Sequence, residues 1–184
     1  MIEIKELCLL IDRSILVISD LHIGYEEALN RQGILIPRTQ FSDIARRLER
    51  VLKGLKLKKI IINGDLKHEF GRISEQEWKH SLMLLEMLAG HAGKIILIKG
   101  NHDTILGPIA KKKKVEIKES VKIKGILIVH GHKEVEEQKL EKIKTIIIGH
   151  EHPAISISEG ARAERFKCFL FGKYKKRNLI VMPS

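Results

Sequence analysis

Five short apolar runs, rich in β-branched residues and each leading into a polar turn, punctuate the chain: Ile15 to Ile18, Ile60 to Ile62, Ile95 to Ile98, Ile126 to Val129 and Thr145 to Ile148. With no polar alternation inside them, they predict strands covered on both faces. Between the first two runs, Phe41, Ile44, Ala45, Leu48, Val51, Leu52 and Leu55 recur at helical spacing downstream of Pro37, which predicts an amphipathic helix over 41–55. Between the second and third, Ser74 and Glu77 form a capping-box pattern ahead of Trp78, Leu82, Leu85 and Leu88, with Gly90 and Gly93 as the stop. Gly24 to Arg31 reads as a further short helix with Glu26 and Glu27 in solvent.

Alternation of strand and helix in the first half predicts parallel strands joined by right-handed crossovers. From Val115 onward the runs crowd together between Gly125, Gly149, Gly160 and Gly172, and Arg162 to Phe171 alternates in places, so a mixed or antiparallel sheet is expected there. Two sheets packed face to face, with helices outside, would bury all these runs. The expectation is an α/β (α+β) fold, a four-layer β-sandwich of two mixed sheets flanked by helices. A length of 184 residues suits one domain, 1–184, and neither a repeat nor a linker interrupts it.

Charge narrows the partners without choosing among them. A formal net charge of +11 favours polyanions such as nucleotides or nucleic acid. Lys111 to Lys114 and the group Lys173, Lys175, Lys176 and Arg177 would suit a phosphate backbone, but one Trp, two Tyr and five Phe make a poor base-stacking platform. A solvated, charge-rich surface is the simpler reading of both clusters. Cys8 and Cys168 lie far apart in strand-like runs and read as buried free thiols. Charges interrupt every apolar stretch near the N-terminus, so a soluble cytoplasmic protein without membrane contact is expected, its oligomeric state open. Abundant Lys, Ile and Glu with few Asn and Gln is the bias of proteins from hot environments.

The chemistry lies in the turns at the carboxyl ends of these runs. Ser19-Asp20-Leu21-His22, Gly64-Asp65, Gly100-Asn101-His102-Asp103, His130-Gly131-His132 and Gly149-His150-Glu151-His152 stand at the five strand ends, and groups at the carboxyl ends of neighbouring strands converge on one crevice. Carboxylate, imidazole and amide donors without sulfur suit manganese, iron, zinc or a similar divalent ion. Asp20, His22, Asp65, Asn101, His130, His150 and His152 are too many ligands for one tetrahedral ion but suit two ions sharing a bridge. Two ions can clamp a phosphoryl group and lower the pKa of a water between them, so phosphate ester hydrolysis is the reaction that uses them best. Taken singly, Asp20, Asp65 and Asn101 are ordinary turn residues, and His130 and His150 ordinary core histidines. His132 reads equally as a phosphate contact or a cover over the ions. Lys67 and His68 come directly after Asp65 and face either substrate or solvent, whereas His80 and His91 read as surface positions of the second helix.

Taken in order from Asp20 to His152, these turns resemble the five motifs of the calcineurin-like metallophosphoesterases. The resemblance implies that Asp20, His22 and His152 hold one ion, that Asp65 bridges both, and that Asn101, His130 and His150 complete the second. It also implies that His102 protonates the leaving oxygen while Asp103 orients its ring, with Asn101, His132 and His68 near the substrate. Manganese is the first expectation for the ions, with nickel, cobalt, iron and zinc as alternatives. The stretches Asp20-Leu21-His22-Ile23-Gly24-Tyr25-Glu26-Glu27 and Gly64-Asp65-Leu66-Lys67-His68-Glu69-Phe70-Gly71 resemble a narrower group. It comprises archaeal phosphoesterases related to SbcD-type repair nucleases and bacterial phosphoesterases associated with DNA ligase. The implied function is a phosphodiesterase or phosphatase on nucleotides or nucleic-acid ends. A single- or double-strand repair nuclease and a non-catalytic binding module on the same fold are the alternatives. Full repair nucleases carry further segments for DNA and for a partner ATPase, which a chain of this length would not contain.

Overall fold

The five runs become the inner strands of two sheets. A computed structural model describes residues 1–104, 106–113, 115–160 and 162–184. The first sheet has the order β1 (Ile2–Lys5), β2 (Cys8–Ile11), β3 (Ile15–Ile18), β4 (Lys59–Asn63), β5 (Ile95–Ile98), β6 (Glu116–Lys118). Its β3 to β6 are parallel, as strand–helix alternation requires, and β1 to β3 form an antiparallel meander. The second sheet brings together β7 (Val121–Ile123), β8 (Ile126–Ile128), β9 (Thr145–Ile148), β12 (Leu170–Tyr174) and β13 (Arg177–Val181), in the order β12-β13-β9-β8-β7. Here β8, β9 and β13 are parallel and the two edge strands antiparallel, so both sheets are mixed.

Register divides each strand between two layers. Val17, Ile61 and Ile96 stand side by side and point between the sheets, while Leu16, Ile60 and Ile95, one residue earlier, point at the helices. Leu127 and Ile146 face outward while Ile128 and Ile147 meet the first sheet. Fully burying an Ile or Leu side chain contributes roughly 1.5–3 kcal/mol, so a one-residue slip in any of these strands would empty two layers together. Helices α1 (Tyr25–Arg31), α2 (Gln40–Leu52), α3 (Glu75–Ala89) and α4 (Gly107–Lys113) lie on the first sheet's side, whereas a 3-10 turn, Glu137–Leu140, covers the second.

Several local details differ from the sequence-based expectation. Helix α2 stops at Leu52 rather than Leu55, because Lys53 turns extended and Gly54 takes a φ of 76°. His80 is not simply a surface residue: its ring stacks on Phe41 at 4.2 Å and ties α3 to α2. His91 is exposed beside the end of α3. The alternating segment 162–171 divides at Cys168 and Phe169, and β10 (Ala154–Glu159) pairs with β11 (Arg162–Lys167) as a separate, fully exposed hairpin. Cys168 therefore sits in a connection and is half-buried, whereas Cys8 is buried in β2.

The basic clusters are largely engaged on the surface. Lys111 and Lys113 close α4, with Lys113 donating to Glu86 at 2.9 Å; Lys114 lies outside the described residues. Lys175 pairs with Glu137 and Glu134 at 2.8 and 3.3 Å, and Arg177 donates to the Leu140 carbonyl. Among the described residues, no helix is long and apolar enough to cross a membrane.

Candidate metal centre

Each inner strand stops two or three residues short of a proposed ligand. Asp20, Asp65 and Asn101 come after parallel neighbours β3, β4 and β5, and His130 and His150 after parallel neighbours β8 and β9. The carboxyl ends of both sheets thus face one crevice, where three donor trios form among the described residues: two that include a carboxylate, Asp20, His22 and His152, and Asp65, His130 and His150, and a third of imidazoles only, His22, His68 and His102. Within each trio the ligand atoms lie within 4.8 Å of one another. Asp65 adjoins the first two, its Oδ2 standing 3.3 Å from His130 Nε2 and 3.7 Å from His22 Nε2. Asn101 joins the second trio, with Oδ1 3.0 Å from His130 Nε2.

The backbone at these positions is unusual. Asp20, His22, Asp65, His150 and His152 all have positive φ, between 42° and 66°. Outside glycine this left-handed region costs roughly 1–2 kcal/mol per residue and persists where surrounding structure imposes it. Here the imposing contacts are visible. Asp20 N–H donates to the Gly64 carbonyl and His22 N–H to the Asp65 carbonyl, which splices the loops after β3 and β4. Asp20's carboxylate accepts from His150 N–H at 3.1 Å and from Ser19 Oγ at 2.5 Å. Space is equally tight: a Cβ on Gly100 would stand 2.1 Å from Asp65 Oδ1.

Proton positions fit divalent ions at the first two trios. His130 Nδ1 lies 3.0 Å from the Asn63 carbonyl and must donate to it, which turns the Nε2 lone pair toward the oxygens of Asp65 and Asn101. In the first trio, His22 Nε2 faces His152 Nε2 at 3.2 Å and His152 Nε2 faces Asp20 Oδ1 at 3.1 Å. Such an assembly of nitrogen and oxygen donors suits a divalent cation. Without one, a proton serves: burial pulls the His130 pKa down, but the hydrogen bond and charge of Asp65 outweigh it and hold the ring above its usual value. Asp65 itself stays at about 2, burial being overcome by His130 and the His102 N–H. Burial keeps His22 at about 4 against the opposing Asp65 charge, so this ring is a neutral donor at physiological pH.

His102 stands beside the first trio, its ring centroid 4.8 Å from that of His22. Its Nδ1 meets the His68 carbonyl and so carries the proton, leaving Nε2 to exchange one with a ligand. The orienting role expected of Asp103 is therefore corrected. Its buried carboxylate accepts the N–H groups of Leu66 and Gly100 at 3.1 and 3.0 Å, bracing the loops after β4 and β5, and the His102 ring is aligned by a backbone carbonyl instead. Burial pushes the Asp103 pKa up to about 6 despite the Gly100 hydrogen bond, with the Asp65 charge adding to the rise.

The remaining expected contacts separate. His68 reaches the site, its Nδ1 3.4 Å from His22 Nδ1, and lines a pocket of about 410 Å³ with Asp20, His22, His102 and His152. His132 lies 5.2 Å from the His130 ring but borders a smaller recess of about 100 Å³ with Lys99 and Lys133. Lys67 does not face solvent; it is fully buried and donates to the Glu69 carbonyl.

Three contributors go beyond the sequence reading. Ser19 fixes Asp20, and its place before the motif gave no distinct signal. Phe70 lies over His102 with centroids 3.8 Å apart. Glu77 does more than cap α3: its Oε1 accepts the N–H groups of His68 and Glu69 at 3.1 and 2.7 Å, holding the loop whose carbonyl aligns His102.

A sequence model of the calcineurin-like phosphoesterases matches residues 13–175, and the chain belongs to that family. Among solved structures, the nuclease MPE of Pseudomonas putida has the same fold, with a TM-score of 0.66 at 19% identity over 96% of this chain and 77% of that one. Wild-type Vps29 of Entamoeba histolytica, complexed with zinc, is a weaker likeness: TM-score 0.47 and 18% identity over 92% of this chain and 73% of that one. No curated protein sequence matches the chain.

Proposed function

We propose that the protein is a metal-dependent hydrolase of phosphate esters, a phosphodiesterase or phosphatase whose substrates include nucleotides or nucleic-acid ends. The carrying observation is the pair of donor trios joined through Asp65, with a histidine beside them whose Nδ1 is committed to a backbone carbonyl. Asp20, His22 and His152 would hold one ion and Asn101, His130 and His150 the other, with Asp65 between them; the oxygen and nitrogen donors suit manganese first. Bound divalent ions supply Lewis-acid stabilisation of phosphoryl charge and an acidified water.

The chain's own residues do the rest. Asp20 is held rigid by Ser19 Oγ and His150 N–H, so its oxygens keep one direction. His130 is locked in the tautomer that presents Nε2. His102, with Nδ1 held by the His68 carbonyl, delivers its Nε2 proton to the departing oxygen.

A His102→Ala variant separates acid from ligand. It should slow hydrolysis of an alkyl phosphodiester by roughly 10²–10⁴-fold, the range of general acid catalysis, while sparing a p-nitrophenyl ester whose leaving group needs little protonation. Metal content should not change. Loss of bound metal, or equal slowing of both esters, would contradict the assignment.

A further inference from the structure

Beside the metal pocket lies a second cavity of about 340 Å³ that the proposed hydrolysis does not use. Asp20, Leu21, Tyr25, Gln40 and Lys167 line both, so the two adjoin beside the first donor trio. Its walls are mostly apolar: Cys8, Ile18, Leu21, Ile36, Ile44 and Leu48, contributed by the first sheet, α2 and the segment before α2. Thr39, Asp43 and Arg47 add donors and acceptors. The shared boundary is built rather than incidental. Gln40 Nε2 donates to the His22 carbonyl at 3.0 Å, and Glu26 Oε1 accepts the N–H groups of Thr39 and Gln40, fixing the start of α2 against the site. Tyr25 is 45% exposed at this boundary, its ring 4.9 Å from that of His68.

We propose that this cavity receives the base of a nucleoside whose phosphate sits in the metal pocket; the proposal rests on the phosphoesterase reading and specifies its substrate. The volume falls within the roughly 300–1,000 Å³ of small-ligand sites. Apolar walls with a few polar groups suit a flat heterocycle, whose faces need apolar cover and whose edges need hydrogen bonds. A lipid chain would meet Glu26, Asp43, Arg47 and Lys167 in the same small space. Tyr25 offers an aromatic surface at the point where base and phosphate diverge, and stacking of this kind tolerates any base. Lys167, carried there by β11, places an ammonium beside the phosphate end.

Two esters with one leaving group test this: thymidine 5′-(p-nitrophenyl phosphate) and methyl p-nitrophenyl phosphate, hydrolysed by the full chain loaded with manganese. The nucleoside ester should have a KM at least about tenfold lower. Ile44→Trp, which fills the cavity without touching a proposed ligand, should abolish that advantage and leave the methyl ester unchanged, and Ile36→Trp should do the same from the neighbouring segment. Unchanged methyl-ester kinetics also show that each variant folds. Equal KM values for the two esters, or equal slowing of both by the Trp variants, would overturn the proposal. Binding of thymidine to the full chain by ligand-observed NMR gives a readout independent of turnover. If neither ester is cleaved yet thymidine binds and Ile44→Trp removes the binding, the pocket stands and the phosphoesterase reading falls. Absence of thymidine binding overturns the pocket, whatever the esters do.

Discussion

At the scale of single residues, the site depends on atoms that are not ligands. Gly100 has no role in binding, yet its missing Cβ is the space occupied by Asp65 Oδ1, 2.1 Å from where that carbon would stand. Gly100→Ala should retain the fold by circular dichroism but weaken metal affinity roughly 10–100-fold, the usual cost of disturbing groups that position ligands, as isothermal titration would show. The two thiols make a contrasting pair. Burial pushes Cys8 from an ordinary 9.0 up to about 12, so between pH 7 and 9 it remains a thiol, while Cys168 is only half-buried. Iodoacetamide on the native protein should label Cys168 and spare Cys8 until the protein is denatured; peptide mapping distinguishes them. The clustering of these donor residues was legible in the sequence because the same residue types recur at one strand end after another. Asp103 was misread because adjacency to His102 says nothing of where a side chain points after a tight turn, and its carboxylate turns back to two backbone N–H groups.

At the scale of elements, α3 shows how one residue can serve two structures. The capping box was legible, and both of its hydrogen bonds form: Ser74 Oγ accepts from Glu77 N–H at 3.1 Å, and Glu77 Oε2 from Ser74 N–H at 2.8 Å. The second function of Glu77, holding the loop at His68 and Glu69, was not, because it joins a helix start to a loop through tertiary contact alone. Ser74→Ala should cost about 1 kcal/mol, a typical N-cap loss. In a chain of this length that lowers Tm by roughly 2–4 °C. Glu77→Ala leaves three N–H groups without their acceptor and should lower Tm by roughly twice as much or more. It should also reduce hydrolysis of the alkyl ester more than of the p-nitrophenyl ester, because the His68 carbonyl that aligns His102 is released. Equal losses of stability in the two variants would mean that Glu77 acts as a cap alone. The exposed hairpin of β10 and β11 was not legible as a separate unit, since its alternation resembles that of a half-buried strand and only the break at Cys168 and Phe169 detaches it.

At the scale of the whole molecule, two sheets meet so that the ends of five strands share one crevice. This much was legible: runs of three or four largely β-branched residues must be covered twice, and two facing sheets cover them, as the layer of Val17, Ile61, Ile96, Ile128 and Ile147 shows. The cavity beside α2 was not, because its walls come from segments far apart in the chain that the pattern marks merely as core. The chain's formal net charge of +11 would favour the approach of anionic esters, most strongly at low salt. The central claim is that two ions, sharing Asp65, make one hydrolytic centre. Metal-stripped protein titrated with manganese, with bound metal and turnover of bis(p-nitrophenyl) phosphate monitored together, tests it most directly. Activity should rise to a plateau as about two ions bind per chain, and Asp65→Ala should abolish it. Two ions bound without turnover, or full activity in Asp65→Ala, would contradict that claim.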